Sequence, residues 1–333
     1  MLRLPSFEFR RPADVGEAAS ILAAEGPRAM LVAGGTDLWP KMKRRQFEPP
    51  VVVGLRHLST LRQIEGDAST GVRIGANTTL RELERNPMLR SQYRAVAAAA
   101  RSISSPPLKT MATIGGNLSV DTRCFYYDQT YEWRKSIDFC LKKDGDTCWV
   151  APGSPRCWAV SSTDLAPVML ALGARVHLVS KEGERVLAAA EMYNPDGIVY
   201  LHKRPDEILT AIDLPPANGD VTVFKKLRRR GSIDFPLLNV AVWLRPGSDG
   251  KTVEDARIAI GGITSAPFLV TEAASLLHGH EFSDDLIRAV AEASRSKAKP
   301  LDNTDLDFSW RRQMVGVWVK RALEEAWAMM DGG

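Results

Sequence analysis

The sequence predicts a protein of mixed α and β structure with two or three domains. Its 333 residues are more than a single hydrophobic core usually holds. Strand and helix patterns alternate in the N-terminal part, whereas strands are followed by helices in the C-terminal part, as in α+β domains. The turn-forming segment 215–219 separates the two parts and marks a candidate domain boundary.

The N-terminal part contains clear helix and strand signals. Val15, Ala18 and Leu22 recur at helical spacing, with Asp14 as a capping residue and Gly26 as a stop. The elements predicted before residue 110 are helices over 13–25 and 93–102, a helix that begins at Thr78 or Thr79, and strands over 29–33, 51–55 and 72–76.

The regular pattern is lost over residues 121–161, where turns interrupt the sequence. We name these residues the cysteine insertion and expect something other than a hydrophobic core to organise them. The elements predicted after it are helices over 163–172, 271–277, 284–297 and 309–330 and strands over 174–180, 221–227, 237–244 and 256–261. An apolar stripe from Val315 to Met330 on the last helix indicates core packing or a subunit interface.

Composition and charge are those of an ordinary globular protein. Hydrophobic residues make up 44% and charged residues 25% of the chain, and the net charge of +4 is too small to indicate a nucleic-acid partner. Segment 1–8 lacks the apolar run of a secretory signal, and no stretch reaches the about 18–20 apolar residues of a membrane helix. We therefore expect a cytoplasmic protein with reduced thiols and no membrane partner.

All the cysteines of the chain lie in the cysteine insertion, at Cys124, Cys140, Cys148 and Cys157. Thiols gathered in this way usually form disulfides, bind zinc or ligate an iron–sulfur cluster. A reducing compartment disfavours disulfides, and structural zinc favours closely spaced cysteine pairs, which the insertion lacks. The spacing favours a [4Fe–4S] cluster shielded by neighbouring aromatic side chains. Four unlinked cysteines in an exposed loop are the simplest alternative.

The first glycine motif, residues 31–38, is an apolar strand that ends in Gly34-Gly35 and leads toward a helix. Consecutive glycines let backbone N–H groups approach a pyrophosphate, and Thr36 adds a hydroxyl donor. Asp37 would repel phosphate, so we expect it to cap the turn or to hold a neutral part of the ligand. A plain β-turn is the alternative.

The second glycine motif, residues 112–117, contains Gly115-Gly116 and ends in Asn117, which can donate and accept hydrogen bonds. The two motifs have similar apolar segments before their glycines. They therefore suggest two walls around one extended ligand.

Two further segments carry polar residues that could face this ligand. Asp164 precedes a predicted helix and is most simply a capping residue, although it could accept a hydrogen bond from a ribityl or ring group. The run 224–230 is the most basic in the chain. It is either a solvated strand end or the source of a lysine beside a pyrophosphate or flavin ring, and it lacks the aromatic residues of a nucleic-acid site.

Together these motifs resemble the FAD-binding medium subunits of the molybdenum hydroxylase family, which includes xanthine dehydrogenase and aerobic carbon monoxide dehydrogenase. The resemblance covers nearly the whole chain and rests on the order and spacing of the motifs at 33–37, 112–117 and 164–167 and of Lys225. The cysteine insertion resembles that of one group in the family, the β subunits of 4-hydroxybenzoyl-CoA reductases, which carry an additional [4Fe–4S] cluster. Segments 126–129 and 148–153 strengthen this second resemblance.

The resemblance implies a two-part FAD-binding domain of the vanillyl-alcohol-oxidase type over 1–215, with parts 1–57 and 58–215, and a smaller C-terminal α+β domain over 216–333. FAD would lie between the two glycine motifs. The residues implied for FAD are Leu31, Val32, Ala33, Gly34, Gly35, Thr36, Asp37, Leu38, Ile103, Thr113, Gly115, Gly116, Asn117, Asp164, Leu209 and Lys225. The cluster ligands would be Cys124, Cys140, Cys148 and Cys157.

The resemblance also implies a role in electron transfer without catalytic residues in this chain. Electrons would pass from ferredoxin through the cluster to FAD, then through [2Fe–2S] centres in a small subunit to molybdopterin in a large subunit of a dimer of heterotrimers. The reaction would remove the phenolic hydroxyl of 4-hydroxybenzoyl-CoA, giving benzoyl-CoA and water. The alternatives are the FAD subunit of another molybdenum hydroxylase and a non-catalytic module with a zinc-bound loop.

Overall fold

A computed structural model describes residues 2–331; Met1 and residues 332 and 333 of the predicted C-terminal domain lie outside the described residues. The described residues form three β-sheets with helices packed around them. The strands are β1 (Glu8–Arg10), β2 (Ala29–Val32), β3 (Val51–Gly54), β4 (Ile64–Asp67), β5 (Gly71–Gly75), β6 (Arg175–Ser180), β7 (Gly183–Ala188), β8 (Ile208–Leu214), β9 (Val221–Leu227), β10 (Leu238–Pro246), β11 (Val253–Gly261) and β12 (Phe268–Leu269). The α-helices are α1 (Val15–Glu25), α2 (Leu38–Lys43), α3 (Leu80–Arg85), α4 (Pro87–Gln92), α5 (Arg94–Ser102), α6 (Pro106–Lys109), α7 (Ile114–Leu118), α8 (Tyr131–Ser136), α9 (Leu165–Leu172), α10 (Thr271–Ser275), α11 (Asp284–Lys297) and α12 (Phe308–Asp331).

The first sheet is parallel, with the strand order β1-β3-β2. Every residue of β3 is buried, which explains why its sequence shows no polar alternation. Helix α1 packs on this sheet through Ala18 and Leu22. Its N-terminus is capped as predicted, because Asp14 accepts a hydrogen bond of 2.8 Å from Glu17 N. The sheet and α1 therefore fix the position of the C-terminal end of β2, from which the turn of the first glycine motif continues.

The second sheet is antiparallel, with the order β4-β5-β8-β6-β7. It shares the largest hydrophobic core with α3, α5 and α9. Helix α9 is buried along its whole length. Because α9 also contacts β10 and β11, it joins this core to the C-terminal part of the chain.

The third sheet is antiparallel, with the order β12-β11-β10-β9. Helices α11 and α12 cover one of its faces, and α5 and α9 lie on the other. The apolar stripe of α12 packs in this core, since Val315, Val319, Ala322 and Ala326 are fully buried. The stripe therefore stabilises the chain itself.

Most of the predicted elements are confirmed, with boundaries that shift by a few residues. The sequence did not predict the short elements β1, β4, β12, α4, α6, α7 and α8 or the longer strands β7 and β8, whereas α2 begins where the first glycine motif was expected to lead into a helix. Short elements contain too few residues to show a period. No helix within residues 2–331 combines the length and the apolar character that crossing a membrane requires.

Candidate cofactor sites

The first glycine motif lies against the second. Its turn, residues 33–37, connects β2 to α2. A Cβ atom on Gly34 would stand 1.8 Å from the carbonyl oxygen of Met111, which directly precedes the second motif. Only glycine allows this approach, so the structure brings the two motifs together as adjacent walls.

The turn of the first motif presents unpaired amide groups. In the described part of the chain, the amides of Gly35, Thr36, Asp37 and Leu38 donate to no other protein group. Gly35 has a φ of 71°, and a Cβ there would stand 2.0 Å from the Trp39 ring. Free N–H groups in a turn that enters a helix bind phosphate oxygens. The motif therefore has a suitable donor set for a pyrophosphate.

The second motif folds into the short helix α7. Thr113 caps this helix, because its Oγ1 accepts a hydrogen bond of 3.1 Å from Gly116 N. Gly115 N donates to the carbonyl oxygen of Ala76 at 2.9 Å, and a Cβ on Gly115 would stand 2.8 Å from Ala76 Cβ. The two glycines thus serve different purposes: Gly115 packs against the second sheet, and Gly116 is exposed toward a ligand.

Asn117 connects the second motif to α9. Its Oδ1 accepts hydrogen bonds from Thr163 Oγ1 at 2.9 Å and from Leu165 N at 3.1 Å. Both donors flank Asp164, so Asn117 fixes the position of that carboxylate. Its side-chain oxygen is used in this way, and its amide nitrogen is left for a ligand.

Asp164 and Lys226 form a buried ion pair. Asp164 Oδ2 lies 2.9 Å from Lys226 Nζ, and the two side chains are 4% and 3% exposed. Burial raises the pKa of Asp164, although Lys226 acts to lower it. Asp164 Oδ1 is buried and has no partner among the described residues. An unpaired buried acceptor is costly, so this oxygen fits a hydroxyl or N–H group of a ligand.

The lysine beside Asp164 is not the predicted one. Lys225 contacts Glu325 of α12 on the opposite side of β9. Successive residues of a strand point to opposite faces, so only one of two adjacent lysines can reach Asp164. The structure brings Lys226 to this site and separates Lys225 from it.

The predicted apolar residues lie near the motifs. Ile103 follows Ser102, whose carbonyl oxygen accepts a hydrogen bond from Lys226, and Leu209 precedes Thr210, whose carbonyl oxygen binds Ala76 N. The remaining positions belong to the first motif. Val32 and Leu38 are core residues, whereas Leu31 and Ala33 are partly buried. The unpaired amides, the close glycine contacts and the free Asp164 oxygen together fit FAD.

The cysteines line a single cavity, which we name the cysteine cavity. Its free volume is only about 10 Å³. All four cysteines are buried and free, and none forms a disulfide. The cavity is lined by Cys124, Tyr126, Tyr127, Cys140, Leu141, Lys142, Cys148, Trp149, Val150, Cys157 and Ala159. The fold thus brings together four cysteines that are far apart in the sequence.

The chemistry of the cavity disfavours a single ion. Within residues 2–331, no three His, Cys, Asp or Glu side chains are placed to hold a metal ion, whereas zinc requires thiolates about 2.3 Å from one point. Burial raises the pKa of Cys124 to about 12 and that of Cys157 to about 11. Coordination to a metal replaces these protons. The four buried thiols line one small, largely apolar space but are not gathered around a single point, as a zinc ion would require.

The cysteine insertion is bound to the segment that follows the first glycine motif. Arg134 is fully buried and donates hydrogen bonds to the carbonyl oxygens of Arg44 (3.0 Å) and Arg45 (3.1 Å). Gln46 donates to the carbonyl oxygen of Tyr127 at 2.8 Å. These contacts hold the insertion on α2 and the residues after it.

Two residues distant in sequence complete the walls of the insertion. A Cβ on Gly197 would stand 2.7 Å from Cys157 Sγ, so this thiol packs on bare backbone. Asn303 accepts a hydrogen bond from Phe125 N at 2.9 Å and donates one to the carbonyl oxygen of Trp158 at 2.5 Å. No local pattern in the sequence singles out either residue.

Buried charges connect the glycine turn with the cysteine insertion. Arg123, which precedes Cys124, lies 2.7 Å from Asp37. Asp121 lies 2.7 Å from Lys41 of α2 and 2.8 Å from Lys142 of the cavity wall. Burial alone would raise the pKa of Asp121, but these two lysines lower it. These ion pairs therefore link the two candidate sites directly.

Comparison with known proteins identifies the family. Residues 5–217 match the model described as the FAD binding domain in molybdopterin dehydrogenase, and residues 222–326 match the CO dehydrogenase flavoprotein C-terminal domain. The chain belongs to the FAD-binding medium subunits of the molybdenum hydroxylase family. The predicted family membership is therefore confirmed.

Similar members of the family share the whole length of the chain. The carbon monoxide dehydrogenase medium chain of Hydrogenophaga pseudoflava is 28% identical over 97% of this chain and 98% of its own. The aldehyde oxidoreductase FAD-binding subunit PaoB of Escherichia coli is 30% identical over 86% of this chain and 91% of its own. A solved structure of the Hydrogenophaga pseudoflava carbon monoxide dehydrogenase has a TM-score of 0.80 at 26% identity, covering 98% of this chain and 99% of that chain.

Proposed function

We propose that this medium subunit carries FAD and a [4Fe–4S] cluster in a molybdenum-containing 4-hydroxybenzoyl-CoA reductase. The observation that carries the proposal is the cysteine cavity, where four buried thiols line one space. A family member built in this way has two electron carriers in one chain. Its task is to place the carriers and to set their potentials.

FAD lies between the two glycine motifs in this proposal, in a domain of the vanillyl-alcohol-oxidase type. The unpaired amides of Gly35, Thr36 and Asp37 bind the pyrophosphate, and the free oxygen of Asp164 accepts a hydrogen bond from the ribityl chain or ring. Lys226 pairs with Asp164 at this position and favours its ionised form, against the effect of burial.

The cysteine cavity holds the cluster through Cys124, Cys140, Cys148 and Cys157. Both groups, when bound, supply one-electron transfer, which is the chemistry that this chain needs. Tyr127, Trp149 and Val150 restrict water at the cavity wall.

The partners in this proposal are a large molybdopterin subunit and a small [2Fe–2S] subunit, in a dimer of heterotrimers. A low-potential ferredoxin in the cytoplasm supplies electrons, and reduced thiols suit that compartment. The large subunit binds 4-hydroxybenzoyl-CoA. Two electrons and two protons convert it to benzoyl-CoA and water, since the phenolic hydroxyl is a poor leaving group without reduction.

The complex should be purified without oxygen and analysed for metal and flavin. We expect about four iron atoms in addition to those of the small subunit, and about one FAD per medium subunit. With reduced ferredoxin as donor, the complex should convert 4-hydroxybenzoyl-CoA to benzoyl-CoA. A medium subunit that contains zinc in place of iron, or that lacks FAD, would contradict the proposal.

A second candidate is the FAD subunit of an aldehyde-oxidising enzyme of the same family. The 30% identity with PaoB, an aldehyde oxidoreductase subunit, favours it. The same purified complex separates the two candidates. Oxidation of aromatic aldehydes without turnover of 4-hydroxybenzoyl-CoA would establish the second.

A further inference from the structure

Lys142 holds a fixed positive charge on the wall of the cysteine cavity. Its side chain lines the cavity, and its Nζ lies 2.8 Å from Asp121 Oδ1, 2.7 Å from Thr122 Oγ1 and 2.5 Å from the carbonyl oxygen of Gly197. These contacts use all three ammonium protons. The charge therefore cannot swing toward solvent.

Lys142 belongs to a group of buried charged side chains. Asp121 is shared with Lys41, whose Nζ lies 2.7 Å from the second carboxylate oxygen. Lys41 and Asp121 are 2% and 4% exposed. Lys41 also lies 3.5 Å from Asp128, which partly balances its charge, whereas Asp121 is the one carboxylate beside Lys142 within residues 2–331. We name Lys142, Lys41 and Asp121 the lysine network.

The lysine network acts on the cavity through a medium of low polarity. The Tyr127 ring, which lines the cavity, has Lys41 Nζ 4.5 Å and Lys142 Nζ 4.9 Å from its centroid. Buried charges are screened far less than exposed ones. Reduction of a cluster held by four thiolates adds negative charge to a group that is already negative, so nearby positive charge favours the reduced form.

We propose that the lysine network sets the reduction potential of the cluster: Lys142 and Lys41 raise it and Asp121 lowers it. This inference rests on the proposed cluster. It assigns to these residues a tuning role that is separate from ligation, because none of them is a cysteine ligand.

The test uses opposite charge changes in the purified complex. Lys142→Met should decrease the equilibrium constant for cluster reduction at least ten-fold, which is 59 mV for one electron, and Asp121→Asn should shift it in the opposite direction. The potentials are measured by redox titration followed by electron paramagnetic resonance. Lys143→Met is the matched control, because Lys143 pairs with the exposed Asp144 outside the cavity lining. In Lys143→Met, the equilibrium constant for cluster reduction should stay within three-fold of the wild-type value.

A purely structural network predicts a different pattern. The tuning role would be overturned if all three network variants, Lys142→Met, Lys41→Met and Asp121→Asn, lost their iron while Lys143→Met retained it. So would retained iron with unchanged potentials, or shifts of the same sign for lysine and aspartate variants. If only Lys142→Met loses iron, the potential of Lys41→Met is compared with that of Asp121→Asn, and shifts of opposite sign are still expected. A wild-type subunit without a cluster would instead refute the proposed function.

Discussion

Lys226 Nζ lies 2.9 Å from Asp164 Oδ2, with both side chains almost fully buried, while the neighbouring Lys225 is partly exposed beside Glu325. Two lysines that are adjacent in sequence therefore have different environments. The buried pair joins β9 of the C-terminal part to the start of α9 in the FAD-binding part. Stability and flavin binding should depend on one lysine and not on the other.

Lys226→Met should destabilise the protein strongly, because it leaves the Asp164 carboxylate buried without a cation. We expect a decrease of about 3–5 kcal/mol in the free energy of unfolding, measured in urea. Lys225→Met removes a partly exposed ion pair and should cost less than about 1 kcal/mol. Equal losses for the two variants would contradict the different burial of the two lysines, and a larger loss for Lys225→Met would mean that the faces of β9 are reversed.

Gly34→Ala should separate the two glycine motifs. The added Cβ would stand 1.8 Å from the Met111 carbonyl oxygen, and backbone cannot yield as a flexible side chain can. We expect the FAD content or affinity to fall at least about ten-fold, measured by flavin absorbance after gel filtration. Gly231→Ala is the control, since open space surrounds that glycine. Normal FAD binding by Gly34→Ala would remove this turn from the cofactor site.

Gly197→Ala should displace Cys157. The new Cβ would stand 2.7 Å from both Cys157 Sγ and Ala159 N, so the loop must shift away from the cavity. We expect most of the cluster iron to be lost while FAD is retained, with iron measured by elemental analysis. Gly153→Ala, at an open position of the same insertion, should keep its iron. A full iron complement in Gly197→Ala would argue that Cys157 is not a ligand.

Cys140→Ser should abolish the cluster and leave FAD bound. The unpaired amides and the Asp164 oxygen lie outside the cysteine insertion, so the flavin site keeps its donors and acceptors. The iron-to-flavin ratio measures the effect, and Ser136→Ala at an exposed position of the insertion is the control. Simultaneous loss of FAD would mean that the insertion supports the flavin site as well.

Lys203 should make stability depend on pH. Burial lowers the pKa of Lys203 from 10.5 to about 8, despite the nearby Glu207 and Asp206. Between these two values the unfolded chain binds more protons, so this residue's contribution to stability increases as the pH rises, by no more than about 1.4 kcal/mol per unit. The unfolding free energy of the wild type relative to Lys203→Met should therefore increase from pH 8 to pH 10. A constant difference would contradict the burial of this amine.

The sequence predicted those elements whose signals are local. Asp14 and Glu17 at the start of α1, and Thr79 and Glu82 at the start of α3, form the expected caps. Strand β8 was missed although it lies at the centre of its sheet. A register shift where it pairs with His177 and Leu178 breaks the two-residue period by which a strand is recognised.

The sites were predicted only where a motif carries the chemistry. Gly34 and Gly35 and the four cysteines stand out in the sequence, and the fold brings each set together. Lys226 could not be distinguished from Lys225, because β9 has buried residues on both faces and its pattern does not show which lysine points to α9. Gly197 matters because it has no side chain where Cys157 packs against it, and this contact between residues distant in sequence is visible only in the tertiary structure.

The hydrogen bonds of Asn303 with Phe125 and Trp158 determine when the cysteine loop is completed. Asn303 follows the last cysteine, Cys157, by 146 residues. The loop therefore gains these two bonds only after a long further stretch of chain has been synthesised. If the cysteines receive a cluster as proposed, its insertion should therefore follow the folding of the segment around Asn303 onto the cysteine insertion.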